Sequence, residues 1–384
     1  MDINYLYRIE KRAMFPSNHI QNHNNGEITM IKVAVLGLGQ MGATHVEAAQ
    51  TSPFVSQIYG YEPDEARRNE RAAELKITPL ALDEILADDS IQMVDIAASN
   101  DAHVPLAKAA LLAGKKVLCE KPMGTTLAEA QELIETRRKC NGFLQIGFEL
   151  HYSRMYQIMK EWIEAGLIGR VVNVAIRYYC SEFHRANTWR SKGTGSFLIS
   201  EKLSHYLDLQ RWYFAGQEKP VSVYSISAPK VVPYFNHRDN HQISIKFSEG
   251  GIATLNFIMY SASRYHKDPL QEMLAQQAQD GHALQCLICG TKGVIESDVF
   301  NRRIRRWQFS MVESGLENQI VENISFTPEE DNRYFHCVKE QNLRVYELVD
   351  KSLPPDVPAE DAFETMRLCF AAEQSEDSGE IIRL

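Results

Sequence analysis

The sequence has no long apolar run, and this absence excludes a protein built on membrane-spanning helices. No stretch approaches the roughly 18 consecutive apolar residues that a spanning helix needs. The first 30 residues are polar, where a secretion signal would be apolar. We therefore expect a cytoplasmic protein.

A surplus of positive charge is also missing. The chain has 41 Lys and Arg residues against 50 Asp and Glu residues, so its formal net charge is -9. Nucleic-acid-binding proteins usually present a basic face, which makes nucleic acid a poor candidate partner. The 7 cysteines are an odd number spread over 384 residues, unlike a dense disulfide framework, and we expect reduced thiols.

The length and composition predict a folded protein of two or three domains, since 384 residues exceed what one core ordinarily holds. Residues 1–29 are rich in Asn and His without a periodic apolar pattern, which indicates a flexible N-terminal extension. Over residues 30–150, apolar strands such as IKVAVLG alternate with helices such as MGATHVEAAQ. This alternation requires parallel pairing and predicts an α/β domain with a doubly wound Rossmann sheet.

The pattern changes in residues 151–384. After the helix SRMYQIMKEWIEAG, the strand VVNVAIRYY and a helix near LISEKLSHYLDLQRWY, several strands follow one another: VSVYSIS, HQISIKFS, IATLNFIMY and ALQCLICG. Successive strands without intervening helices predict a second, α+β domain on a mostly antiparallel sheet. Two further helices are predicted around YFHCVKEQNLRVYELVD and EDAFETMRLCFAAEQS.

A glycine-rich turn joins the first strand to the first helix. Gly37, Gly39 and Gly42 form GLGQMG. In a dinucleotide site the first glycine permits a tight turn, the second admits the pyrophosphate, and the third lets the helix pack on the strand. The N-terminus of the helix offers free N–H groups to the phosphates. Together these features predict a dinucleotide-binding loop.

An acidic residue, Glu62, stands twenty positions beyond Gly42 at the end of the second strand. Its carboxylate can accept hydrogen bonds from the adenosine ribose, and it would repel a 2′-phosphate. NAD is therefore favoured over NADP. Arg67 and Arg68 are the competing signal, although a solvated charged helix face is their ordinary explanation.

Several motifs in order along the chain carry a resemblance to a known family. AASNDAHVPLAKAALLAGKKVLCEKPM is followed by GFELHY, EAGLIGRVV, NTWR, SEKLSHYLDLQRW, ICGTKGVIES and AFETMRLCFAAEQSEDSGEIIRL. In this order they resemble the Gfo/Idh/MocA family, which includes glucose-fructose oxidoreductase and inositol dehydrogenase. The resemblance covers nearly everything from Met30 onward. It implies a second domain that binds substrate and takes part in oligomerisation.

Together with the glycine loop, the resemblance implies a set of cofactor contacts from the ends of successive strands. The predicted NAD-binding residues are Gly37, Gly39, Gln40, Met41, Gly42, Glu62, Ser99, Asn100, His103, Glu120 and Lys121.

The same resemblance implies the catalytic groups Lys121, His205 and Glu201. Lys121 belongs to the EKP signature, and it ends a parallel strand at the edge where ligands bind in open α/β sheets. Family members place this lysine beside the nicotinamide and the reacting hydroxyl. In the family a helix histidine, matched by His205, relays the hydroxyl proton, and an acidic residue stands one turn before it. Glu201 occupies the acidic place, where relatives often carry Asp.

Substrate contacts are predicted for four residues. Trp189 and Arg190 match a family pair on a loop facing the sugar site, although a loop anchor is an equal alternative. His151 stands where many relatives have Arg. Asp208 stands at i, i+4, i+7 spacing with Glu201 and His205, so one face of the helix presents all three, and a helix-orienting role is an equal alternative for Asp208.

These observations predict an NAD-dependent oxidoreductase acting on a secondary hydroxyl of a sugar, cyclitol or sugar derivative. Hydride transfer to nicotinamide needs no metal, and we expect no metal site. An NAD-using glycosidase, which oxidises a sugar transiently and eliminates the aglycone, is an alternative. A non-catalytic NAD-binding regulator is another. The resemblance implies a homodimer or homotetramer.

Overall fold

The computed structural model describes residues 30–182, 186, 188, 190–263 and 281–384. The predicted N-terminal extension, residues 1–29, and the predicted substrate contact Trp189 lie outside the described residues.

The first part of the chain forms a parallel sheet. Its strands are β1 (Ile31–Leu36), β2 (Val55–Tyr61), β3 (Thr78–Pro79), β4 (Met93–Ile96), β5 (Lys116–Glu120) and β6 (Leu144–Gly147). Their spatial order is β3-β2-β1-β4-β5-β6, and every pair is parallel. The order reverses between β1 and β4, so the loops after these two strands diverge and open a crevice. The predicted Rossmann architecture is confirmed.

Helices connect these strands. They are α1 (Gln40–Thr51), α2 (Glu65–Leu75), α3 (Leu82–Ala87), α4 (Asn100–Leu112) and α5 (Leu127–Cys140). The sequence pattern predicts that the second helix opens at Pro63, which is wrong by two residues. The carboxylate of Asp64 accepts a hydrogen bond from the Arg67 amide at 2.7 Å, and this cap places Pro63 outside the helix.

A second, mixed sheet follows. Its strands are β7 (Val171–Tyr179), β8 (Pro220–Ile226), β9 (Asn240–Phe247), β10 (Ile252–Ile258), β11 (Ala283–Gly290), β12 (Gly293–Asp298), β13 (Arg303–Val312), β14 (Gly315–Ser325) and β15 (Ile382–Arg383). Their order is β14-β13-β12-β11-β7-β10-β9-β8-β15, with β7 and β10 parallel and the other neighbours antiparallel. The predicted mostly antiparallel sheet is confirmed, and β12 to β14 extend it beyond the strands predicted from the sequence.

The remaining helices cover one face of this sheet and return to the first. They are three 3-10 turns (Glu149–Tyr152, Arg190–Lys192 and Pro328–Glu330), α6 (Arg154–Glu164), a π-helix (Ile199–Leu203), α7 (Ser204–Phe214), α8 (Asp331–Tyr334), α9 (Val338–Asp350) and α10 (Ala359–Ser378). Val345 and Tyr346 of α9 pack with Val33 of β1 and Ala48 of α1. The C-terminal part of the chain therefore completes the core of the N-terminal sheet. Within the part of the chain that is described, no helix has the length and apolar character needed to cross a membrane.

Candidate active site

The glycine loop has the geometry that a dinucleotide requires. Gly37 has a φ of +93°, and a Cβ there would lie 2.7 Å from the Ala98 backbone. A Cβ on Gly42 would lie 1.8 Å from the carbonyl oxygen of Gly37, so this close approach of helix and loop also requires glycine. Gly39 instead faces open space, with no atom within 4 Å of a Cβ position. The open space at Gly39 is where a pyrophosphate can approach the backbone.

The N-terminus of α1 borders that space. Gly39 is its N-cap, no side chain caps the helix, and the first turn contains no acidic residue. The early N–H groups and the positive end of the helix dipole are therefore available to an anion. Gln40 and Met41 lie in this first turn, and both are exposed.

Glu62 follows β2 and turns back toward the glycine loop. Its Oε1 accepts a hydrogen bond from the amide of Leu38 at 2.6 Å. Arg68 is engaged nearby, since its guanidinium donates to the backbone oxygen of Glu62 at 3.0 Å. Arg67 lies farther out, with Nε 3.9 Å from Glu62 Oε1 and its side chain 58% exposed. Of the two arginines, Arg67 is the one free to turn toward a phosphate.

Three predicted cofactor contacts lie at the end of the loop after β4 and in the first turn of α4. Ser99 is the N-cap of α4. Asn100 is the first residue of the helix, and its buried Nδ2 has no hydrogen-bond partner among the described residues. His103 is different, because its ring is buried between the carbonyl oxygens of Pro122, at 2.9 Å, and Ala98, at 3.2 Å. His103 thus ties the loop after β4 to the loop after β5 instead of presenting its ring to a cofactor.

Glu120, at the end of β5, points into the protein. Its Oε1 lies 3.2 Å from Nε2 of His45, and the other ring nitrogen of His45 lies 2.7 Å from Asp95 Oδ1. Burial alone would lower the pKa of His45, but the charges and hydrogen bonds of Asp95 and Glu120 raise it to about 10. The last residue of β5, Glu120, which directly precedes Lys121, is therefore paired with a buried imidazolium that also contacts Asp95.

Lys121 lies in a cluster of charges between the two sheets. Its ammonium donates to the backbone oxygen of Glu201 at 2.7 Å and lies 3.9 Å from Glu201 Oε1. Arg190 donates to the same Oε1 at 3.1 Å. Burial, reinforced by the charges of Lys121 and Arg190 and opposed in part by Cys180 and Glu201, lowers the pKa of Lys202 to about 8. Lys202 is thus a further cation beside this cluster.

The π-helix explains where Glu201 points. The i, i+4, i+7 spacing of Glu201, His205 and Asp208 predicts one shared face only if the helix is α-helical throughout. Residues 199–203 form a π-helix, in which each turn holds more residues, so this assumption is wrong. The three side chains have different partners: Glu201 contacts Lys121 and Arg190, while His205 and Asp208 face other groups.

His205 lies beside Lys121 and Glu149. Its Nε2 is 3.7 Å from Glu149 Oε1, and its ring meets Phe148 edge to face at 6.0 Å between centroids. Burial and the positive charge of Lys121 lower the pKa of His205 to about 3. The imidazole is therefore neutral at neutral pH and has a free lone pair for a proton, but at this pKa it holds a proton weakly unless a negative charge stabilises the imidazolium.

Asp208 and His151 form a pair of their own. His151 Nε2 lies 2.5 Å from Asp208 Oδ2, and the imidazole packs on Trp212 at 4.3 Å between centroids, with the ring planes tilted by 30°. Thr365 donates to the other oxygen of Asp208 at 2.7 Å. Both carboxylate oxygens of Asp208 are thus bonded within the protein, which favours the orienting alternative over direct contact with substrate.

Sequence reasoning missed Glu149, Lys202 and His336. Glu149 is the second residue after β6, at the same sheet edge as Lys121, so the rule that predicted Lys121 also applies to it. His336 lies 187 positions farther along and contacts Glu149 at 2.7 Å. No spacing rule connects positions so distant in sequence.

The arrangement suits a nicotinamide dinucleotide. One crevice at the carboxyl edge of the parallel sheet includes the open space at Gly39. It is bordered by the uncapped N-terminus of α1, by Glu62 and by the amide nitrogen of Asn100, which has no hydrogen-bond partner among the described residues. At the same edge, Lys121 and His205 can bind a hydroxyl and accept its proton.

Comparison with known proteins matches both halves of the chain to one family. The model of the oxidoreductase family with an NAD-binding Rossmann fold (GFO_IDH_MocA) matches residues 31–148. The GFO/IDH/MocA C-terminal domain matches residues 156–296.

Individual relatives include inositol dehydrogenases. Inositol 2-dehydrogenase of Salmonella typhimurium is 29% identical over 273 residues, covering 69% of this chain and 73% of its own length. The rhizopine catabolism protein MocA of Rhizobium meliloti is 31% identical over 192 residues, or 50% of this chain and 59% of its own. Scyllo-inositol dehydrogenase from Lactobacillus casei, with bound NAD(H) and scyllo-inositol, superimposes with a TM-score of 0.72 at 18% identity, covering 92% of this chain and 99% of its own. At that identity the structural likeness establishes the fold.

Proposed function

Because this chain belongs to the Gfo/Idh/MocA family of oxidoreductases, we propose that it is an NAD-dependent dehydrogenase that oxidises a secondary hydroxyl of a cyclitol or related sugar. The observation that carries the proposal is that Lys121, at the carboxyl edge of the parallel sheet, is held by the backbone oxygen of Glu201, four residues before His205, and is close enough to lower the pKa of His205. Relatives named inositol 2-dehydrogenase support the cyclitol class.

The site residues have different roles in the proposed reaction, and each role follows from the charge of the side chain. Bound NAD would supply the hydride acceptor. The Lys121 ammonium, anchored by the Glu201 backbone oxygen, is a cation that can polarise a substrate hydroxyl. His205 is neutral and takes the hydroxyl proton as the carbon loses hydride. The Glu201 carboxylate contacts both Lys121 and Arg190, and its negative charge reduces the repulsion between these two cations.

Formation of NADH over a panel of polyols tests the proposal. The panel contains myo-inositol, scyllo-inositol, D-chiro-inositol, common aldoses, amino sugars and aryl glycosides, each with NAD and with NADP. We expect NADH from at least one cyclitol or sugar. Release of an aglycone without net NADH would instead identify a glycosidase, and tight NAD binding without any turnover would identify a regulator.

The preference for NAD is proposed to depend on Glu62. In the Glu62→Ser variant the affinity ratio of NAD to NADP should fall at least roughly tenfold, because the carboxylate that opposes a 2′-phosphate is gone. Titration calorimetry with both cofactors measures the ratio. Glu65→Ser, which removes an exposed carboxylate from the start of α2, is the control and should leave the ratio unchanged. Equal affinity of the unmodified protein for both cofactors would contradict the assignment.

A homo-oligomer formed through the open face of the second sheet is also proposed. Leu287 and Tyr224, 39% and 37% exposed, lie in one cross-strand row. The row between them is formed by Ala175, Thr254 and Ser244. The row thus has a large exposed side chain at each end and small side chains between them, and exposed Leu and Tyr side chains on a sheet face are candidates for burial against a second copy of the chain. Light scattering should give the mass of two or four chains, and a monomer at micromolar concentration would contradict this.

A further inference from the structure

A carboxylate and a histidine that the proposed mechanism does not use lie beside His205. Glu149 is 4% exposed, and its Oε1 lies 2.7 Å from Nδ1 of His336 and 3.7 Å from Nε2 of His205. The His336 side chain is 32% exposed. The three residues form a row that runs from a buried imidazole through a buried carboxylate to a partly exposed imidazole.

Glu149 keeps its negative charge in this position. Burial alone would raise its pKa, but the charge and hydrogen bond of His336, the charge of Lys121 and that of His205 when it is protonated lower the pKa to about 2. A buried carboxylate is costly unless it is paired, and His336 supplies the close partner. The second oxygen, Oε2, is buried without a hydrogen-bond partner among the described residues. Glu149 therefore retains the capacity to accept another hydrogen bond.

The surrounding protein holds this row in place. Glu149 belongs to the 3-10 turn after β6, and Phe148, immediately before it, packs edge to face on the ring of His205. Ser153, just after the turn, donates to the backbone oxygen of Tyr334, two residues before His336. Neighbouring contacts thus join the segments that carry the three side chains.

We propose that Glu149, held by His336, is the carboxylate that stabilises His205 when it takes the substrate proton. The proposal rests on the proposed function. As the alcohol is oxidised, the electron pair of the C–H bond leaves with the hydride and the pair of the O–H bond forms the carbonyl. The proton released passes to His205, and the resulting imidazolium faces an ionised carboxylate 3.7 Å away. Glu149 remains ionised and acts through His205 as a positioning residue.

This assignment differs from the one that the sequence pattern favours. Glu201, one turn before His205, is the expected orienting acid, but its carboxylate contacts Lys121 and Arg190. The groups that act on the charge of His205 are Lys121, Lys202 and His336, which lower its pKa, and Glu149, which raises it. Glu149 is therefore the group among these that favours the protonated form.

Steady-state kinetics of Glu149→Gln test the role, with myo-inositol or the polyol that gives the highest turnover in the panel. The variant keeps the shape of the side chain and removes its charge. We expect kcat to fall roughly tenfold to a hundredfold, with KM and NAD affinity within about threefold of the unmodified values. The solvent deuterium isotope effect on kcat should rise, because proton transfer becomes slower relative to other steps. Glu149→Asp, which retains the charge, should recover part of the loss.

Two further variants complete the test. His336→Phe keeps a ring and removes the donor that holds Glu149, so we expect a smaller fall in kcat with the same rise in isotope effect. If the Glu149→Gln variant fails to fold, His336→Phe still tests the role of Glu149. Glu340→Gln removes a partly buried acid of α9 that lies near Glu149, and it should leave kcat within about twofold.

The possible outcomes separate the two proposals. If the unmodified protein oxidises no member of the panel, the proposed function fails and the role of Glu149 fails with it. If it oxidises a polyol but Glu149→Gln and His336→Phe keep normal kcat and isotope effect, only the role of Glu149 fails. A parallel loss of kcat, NAD affinity and melting temperature without recovery in Glu149→Asp would show that Glu149 is structural, which also overturns the proposal.

Discussion

His205→Ala should lower turnover roughly a hundredfold or more on the substrate that the polyol panel identifies, while the affinity for NAD changes much less. The hydroxyl must lose its proton as its carbon loses hydride, and His205 is the neutral imidazole at that place. Lys121→Ala should produce a loss of similar size, because the cation that polarises the hydroxyl is removed. Single-turnover formation of NADH, followed together with NAD titrations, measures both effects.

Lys115→Ala is the matched control for the lysine. Lys115 is buried where Lys121 is partly buried, and its ammonium likewise donates to a backbone oxygen, that of Asp88, but it precedes β5 at the opposite end of the strand from Lys121. Its loss should affect stability and leave the turnover of folded protein near normal. If both His205→Ala and Lys121→Ala retained near-normal turnover, the proposed active site would be wrong.

The two sheets were predictable because each has a simple sequence pattern. Alternation of strand and helix over residues 30–150 leaves parallel pairing as the only solution, and the glycine spacing of GLGQMG fixes where a phosphate can approach. Lys121 was predictable from its place at a strand end, independently of the family resemblance. The strands β12 to β14 were missed because turn residues and short apolar runs alternate there without a strong period.

The partners of the site residues were not predictable. Helical spacing places Glu201 below His205 only when each turn has 3.6 residues, and the π-helix at residues 199–203 breaks that condition. The contact of Glu149 with His336 joins positions 187 residues apart. The placement of α9 against α1 is likewise set by packing of its apolar side chains. Local patterns carry no information about such distant pairings.

The buried imidazolium of His45 should make a large contribution to stability. Asp95 and Glu120 flank its ring, and Tyr346 donates to the second oxygen of Asp95 at 2.8 Å. His45→Gln removes the positive charge and leaves two buried carboxylates facing each other without it. Breaking a buried ion pair in this way costs about 3–5 kcal/mol. Urea unfolding at pH 6 should show a loss of this size.

The same histidine predicts how that loss depends on pH. The pKa of His45 in the folded protein, about 10, lies above the ordinary value of 6.5, because Asp95 and Glu120 outweigh the effect of burial. A raised pKa means that the folded state holds the proton more tightly than the unfolded state. The stabilisation is therefore complete below pH 6.5, declines as the pH rises, and is lost near pH 10. The difference in unfolding free energy between the unmodified protein and His45→Gln should shrink across this window.

Tyr346→Phe provides the comparison that identifies charge as the cause. It removes one neutral donor to Asp95 and keeps the ring, so it should cost about 1–3 kcal/mol. Burial and the charge of Asp95 raise the pKa of the Tyr346 phenol well above its ordinary value, so the phenol does not titrate in the same window. The loss of unfolding free energy caused by Tyr346→Phe should stay constant between pH 6.5 and pH 9.5. Over the same interval the loss caused by His45→Gln declines. A constant difference for both variants would show that His45 is neutral in the folded protein, and the charged triad beneath Lys121 would then be wrong.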